Sequence, residues 1–106
     1  MAPFEDISIL AINYVQTQPI EGSGALQVPI ELSPVPPPDW AELFCQNWMV
    51  HDYETKVEVA LAGDVIFARC FPEDFDDLSE RHLPEIKKVI AETNREYSNP
   101  SRQGLG

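Results

Sequence analysis

Positive charge is scarce in this sequence: its 106 residues hold 7 Lys and Arg against 18 Asp and Glu, a net charge of −11. Direct binding to phosphate backbones or anionic membranes draws on clustered Lys and Arg, so neither is an expected partner. Long apolar runs are missing too, and none approaches the roughly 18 residues of a membrane-spanning helix. The segment Met1-Ala2-Pro3-Phe4-Glu5-Asp6 is acidic rather than basic, so no ordinary signal peptide is expected. Only two cysteines are present. Without an export signal they are expected to stay as thiols in a reducing, cytoplasmic setting rather than to form a Cys45–Cys70 disulfide. The length supports one domain, which would bury about 65% of the surface of the unfolded chain, and leaves no room for separate cofactor and substrate domains.

Proline, by contrast, is plentiful at 10 residues. Four of them fall in Ser33-Pro34-Val35-Pro36-Pro37-Pro38, read as a stiff connector over residues 33–38. Ahead of it, residues 7–16 are rich in β-branched and aromatic types, with apolar side chains on both alternating faces. They read as a well-buried strand. Residues 18–24 are loop chemistry, after which Leu26, Val28, Ile30 and Leu32 alternate with polar residues and Pro29. Proline cannot donate to a ladder, so Pro29 places this second strand at a sheet edge. The two strands are expected to pair as a hairpin.

Beyond the connector, Asp39 reads as the N-cap of a helix to about Val50. Trp40, Phe44 and Trp48 lie on one stripe of that helix, with Leu43, Ala41 and Cys45 at its margins. Such a stripe is more often the face packed on a sheet than a binding surface. Residues 56–62 and 65–70 flank Gly63-Asp64, a two-residue hairpin turn. The turn sets Ala62 opposite Val65, Leu61 opposite Ile66, Val59 opposite Ala68 and Val57 opposite Cys70. The last three pairs share one apolar face, the expected core. The other face carries Glu58 opposite Arg69, and also Val65 and Phe67. An apolar Phe67 on an otherwise solvated face calls for cover, by a partner or by a loop or terminus of this chain.

From Pro72 a helical stripe runs through Phe75, Leu78, His82, Ile86, Val89, Ile90, Thr93 and Tyr97, with Pro84 on the opposite side. One long C-terminal helix kinked near Pro84, or two nearly coaxial ones, is expected, followed by a frayed tail over residues 98–106. The fold expected from this order is α+β, β-β-α-β-β-α, a mostly antiparallel sheet packed against two helices.

For chemistry, Cys45, His51, Cys70 and His82 make a nominal zinc set, but neither pair has the close spacing of structural zinc. No nucleophile elbow, phosphate-cradling loop or helical His-Glu-x-x-His is present, so neither an enzyme nor a cofactor is expected. A small thiol- or metal-dependent enzyme or regulator using those four residues stays as the alternative of another class. Glu73, Asp74, Asp76, Asp77 and Glu80 put five carboxylates into eight residues. Acids at a helix N-terminus complement its dipole and keep a domain soluble. They also form a negative surface that steers association with a basic partner.

Residues 39–97, with a helix, a hairpin turning at Gly63-Asp64 and an amphipathic C-terminal helix that opens on acids, resemble the small chaperones of type III secretion systems. That resemblance implies a cytoplasmic, non-enzymatic domain that dimerises and is wrapped by extended partner segments. The chaperone pattern has a helix before its first strand, for which six residues leave no space. In size and charge the chain is also similar to phage-encoded inhibitors of bacterial defence, anti-CRISPR proteins among them. The expected function is therefore an acidic protein-binding module of inhibitor type, a nucleic-acid mimic in charge. Its expected contact residues are Glu73, Asp74, Asp76, Asp77, Glu80, Phe67 and Val65, and its partner is another protein with a basic or nucleic-acid-binding surface. A secretion-type chaperone or adaptor is the alternative, and a homodimer is a further expectation.

Overall fold

The computed structural model describes residues 4–53, 57–75 and 78–98. Five antiparallel strands form one sheet: β1 (Ser8–Ile12), β2 (Gln18–Pro19), β3 (Leu26–Ser33), β4 (Glu58–Ala62) and β5 (Val65–Cys70), in the order β1-β3-β5-β4, with β2 also paired to β3. The helices are α1 (Pro38–Val50), the short α2 (Pro72–Phe75) and α3 (Leu83–Tyr97). This is the α+β architecture read from the sequence, and the two hairpins belong to one sheet joined through β3 and β5.

The β4–β5 hairpin has the expected register: Ala62 faces Val65, Leu61 faces Ile66 and Val59 faces Ala68. Gly63 sits at φ +61°, the left-handed conformation that a tight turn needs and glycine adopts without penalty. Trp40, Phe44 and Trp48 of α1 are buried with Leu43, while Glu42 and Gln46 are exposed. They pack with Leu78, Ile86, Val89 and Ile90 onto Val28, Ile30, Leu32, Ile66, Ala68 and Cys70 of the sheet. The C-terminal helical run covers 20 residues, 78–97. Its first turn, Leu78–His82, has π winding, and α geometry resumes at Leu83. In a regular helix the Pro84 ring would meet the Glu80 carbonyl. The wider winding just ahead of it accommodates the ring, and Pro84 itself is exposed.

Three local expectations are corrected. Asp39 is not the N-cap of α1: Pro37 holds that position, Pro38 opens the helix, and Asp39 lies in the first turn, where its Oδ1 accepts from Trp40 N–H at 3.2 Å. Residues 7–16 do not form one buried strand. β1 is a half-exposed edge strand with a bulge at Leu10, followed by a 3₁₀ turn over Tyr14–Gln16 that the Asn13 side chain caps. Pro29 lies not at an edge but in β3, between β1 and β5. The reason is the interruption of the neighbouring edge. Pro29 turns its backbone toward the gap between β1 and β2, where its carbonyl accepts from Asn13 N–H at 2.8 Å. The Asn13 carbonyl, which would take a donor from Pro29, instead accepts from Gln16 N–H at 3.2 Å. No ladder bond is forfeited.

The free edges of the sheet are guarded by side chains. The bond from Leu32 N–H to the Asp64 carbonyl sets the phase of the ladder, so Val57, Val59 and Leu61 present their backbone groups outward. Trp48 Nε1–H donates to the Val57 carbonyl at 3.2 Å, and the Cys45 thiol of α1 lies against the Leu61 backbone. At the other edge, the Asn94 amide of α3 takes both outward groups of Ile7: Oδ1 accepts from Ile7 N–H at 3.0 Å and Nδ2–H donates to Ile7 C=O at 2.9 Å. Blocking unpaired edge groups in this way keeps foreign strands from adding to a sheet.

Candidate functional site

The helices cover one face of the sheet. The opposite face carries Gln27, Pro29 and Glu31 of β3, Val65, Phe67 and Arg69 of β5, and Glu58, Ala60 and Ala62 of β4. Phe67 sits between its register partners Pro29 and Ala60. Pro29 is buried and Phe67 half-buried, so strand neighbours supply part of the cover that the sequence called for. Beside Phe67, Ile20, Gln27 and Arg69 help to line a depression of about 250 Å³. Arg69 Nη1–H donates to Glu58 Oε2 at 3.1 Å, and this pair separates the depression from a second, of about 310 Å³, lined by Ser23, Ala25 and Phe71 among others. Phe71 is 51% exposed.

Phe71 was missed in reading the sequence, although strand alternation carries the series Phe67, Arg69, Phe71 along one face. From Phe71 the chain passes directly into α2, where Glu73 is exposed, as is Glu80 in the π turn. Asp76 and Asp77 lie outside the described residues, as does the side chain of Asp74. Among the described contact residues, Val65 stands at one end of β5 and Glu73 beyond the other. Val65 begins β5 at the turn, a full strand length (about 17 Å) from the end that leads to Glu73. Phe71 and Glu73 follow that far end, while Phe67, third of the six residues of β5, lies nearer the turn.

The residues of the alternative chemical reading are dispersed into pairs. His51 Nε2 lies 2.9 Å from Glu85 Oε1, and Lys88 Nζ donates to Glu85 Oε2 at 3.0 Å. Tyr53 OH is 2.9 Å from Nδ1 of the fully buried His82. Trp48, His51, Tyr53 and His82 form a chain of mutually tilted rings with centroids 5.8–5.9 Å apart. Cys45 is half-buried against β4, where burial pushes its thiol pKa up against the pull of the Leu61 backbone, and Cys70 is in the core. Neither thiol is in a disulfide, and among the described residues no three His, Cys, Asp or Glu are grouped to hold a metal ion.

The His51 hydrogen bond, and then that of Lys88, hold the Glu85 carboxyl below its ordinary 4.5. A carboxylate with a depressed folded pKa adds stability that is present above the ordinary value and lost as pH falls through the folded one. Urea midpoints are therefore expected to fall on acidification below about pH 4.5, and Glu85→Gln is expected to flatten that part of the profile. An unchanged profile in the variant would show that the contacts of Glu85 do not couple to folding.

No known protein family, no curated protein and no solved structure matches this chain.

Proposed function

We propose that the protein is a non-enzymatic, acidic binding module that acts by occupying the surface of another protein, in the manner of an inhibitor. Its partner carries a basic, nucleic-acid-binding surface. The observation that supports this reading is exposed apolar surface at the end of β5 from which the acidic run follows. Phe71 is exposed directly after β5, and Glu73, the first of five carboxylates, follows it by two residues. Apolar contact supplies affinity there, while the excess of acids speeds encounter with a basic partner.

Pull-down from source cells at low and high salt identifies the partner. Asn at Asp74, Asp76 and Asp77 together is then expected to slow association about tenfold at low ionic strength, with little change at high salt. Phe67→Glu is expected to raise the dissociation rate. Unchanged rates in both variants would sink the proposal.

A further inference from the structure

On the β1 edge of the sheet, β1 and α3 enclose a groove of about 300 Å³ lined by Ile7, Ser8, Ile9, Lys87, Ile90, Ala91 and Asn94. Lys87, Ile90, Ala91 and Asn94 stand at i, i+3, i+4 and i+7, the spacing of one helix face. The floor is apolar. The one cation among the lining residues, Lys87, is exposed and makes no salt bridge among the described residues, whereas Lys88 pairs with Glu85 and Arg69 with Glu58.

The backbone of β1 sets what the groove accepts. Pro29, Glu31 and Ser33 of β3 bond toward β1, so Ile9, opposite Leu32, turns its N–H and C=O outward, as Ile7 does two residues earlier. The Asn94 amide already sits on Ile7 as the peptide group of an adjacent strand would. The next such step, at Ile9, opens into the groove. One residue later the bulge at Leu10 breaks the regular alternation of the edge. A strand running through is thus stopped by Asn94 on one side and by the bulge on the other, and a single ladder step remains. A chain end needs only one.

We infer that this groove captures the C-terminal residue of a partner polypeptide. The terminal N–H would donate to Ile9 C=O, one carboxylate oxygen would accept from Ile9 N–H and the other from Lys87 Nζ. An apolar terminal side chain would lie against Ile90 and Ala91. Edge pairing supplies main-chain recognition, and a cation reads the terminal charge, as in other carboxylate-capturing grooves. This surface is separate from the helix-free face, so either proposal can fail alone.

The test is titration of the ¹⁵N-labelled protein with N-acetylated hexapeptides ending in Val, Leu or Ile, each as free acid and as C-terminal amide. Amide shifts at Ile9, Lys87 and Ala91 are expected with the free acids, and amidation is expected to weaken binding at least tenfold. Lys87→Glu, at an exposed position and so expected to keep the native far-UV spectrum and melting temperature, should weaken free-acid binding by a similar factor. Three results would overturn the inference: no shifts at these residues, equal binding of acid and amide, or tighter binding of an amidated peptide carrying an internal Asp.

Discussion

Replacing Asn94 by Leu is expected to destabilise the protein by about 3 to 5 kcal/mol, although the side chains are close in size and the position lies on a helix. Asn94 is 7% exposed and serves three partners at once. Its Oδ1 accepts from Ile7 N–H at 3.0 Å and from Trp40 Nε1–H at 3.1 Å, and its Nδ2–H donates to Ile7 C=O at 2.9 Å. Leucine removes all three bonds and leaves two donors and an acceptor inside the protein without water. Each orphan costs more than an average hydrogen bond contributes. The same amide ties the N-terminal strand and α1 to α3, so one substitution loosens three elements. Asn94→Asp sharpens the test. The carboxylate keeps both acceptor roles but opposes the Ile7 carbonyl, and only its protonated form can donate there. The deficit of the Asp variant is therefore expected to shrink as pH is lowered, while that of the Leu variant is not. Urea unfolding of the three proteins across pH measures both. A loss below about 1 kcal/mol for Asn94→Leu would mean that water satisfies the orphaned groups.

The legibility of Asn94 marks where sequence reading stops. The stripe Leu78, His82, Ile86, Val89, Ile90, Thr93 could be traced because helical periodicity is local, and it carried through Pro84 because the ring points away from the stripe. The β4–β5 register was equally accessible, since a two-residue turn at Gly63-Asp64 leaves one pairing. Asn94 sits beside that stripe and reads as its polar margin. Its burial follows from Ile7, 87 residues away, and no local pattern carries that distance. Pro29 failed for the same reason. The rule that proline avoids interior strands is sound, but what matters is whether the adjacent strand offers a partner at that step, and here the neighbouring edge breaks at Asn13. Phe71 is the opposite case: alternation from Phe67 was enough to find it. The aromatic chain from Trp48 to His82 needed Tyr53, whose place follows from the turn after α1 rather than from any spacing.

Trp48→Ala is expected to cost about 3 to 5 kcal/mol and to change the behaviour of the sheet edge as well. Trp48 is 4% exposed and packs edge-on against Tyr53 at 5.8 Å, so truncation leaves a cavity between α1 and β4. It also withdraws the indole N–H that occupies the Val57 carbonyl. The outward groups of Val59 already face a depression of about 450 Å³, beside Met49, which is 79% exposed. Once the Val57 carbonyl is released, it lies open beside the outward groups of Val59 and next to apolar surface, while Val57 N–H stays with Tyr53 OH at 3.5 Å. Such an edge recruits further strands. Sedimentation velocity over a range of concentrations is therefore expected to show association in the Ala variant beyond that of the parent. Trp48→Phe separates the two effects. It refills most of the volume but donates nothing, so it should lose about 1 to 2 kcal/mol and still associate more than the parent. If both variants sediment like the parent, α1 screens the β4 edge by bulk alone and the indole hydrogen bond serves only stability. The charge of −11 opposes self-association, so the contrast should grow as salt is raised and that repulsion is screened.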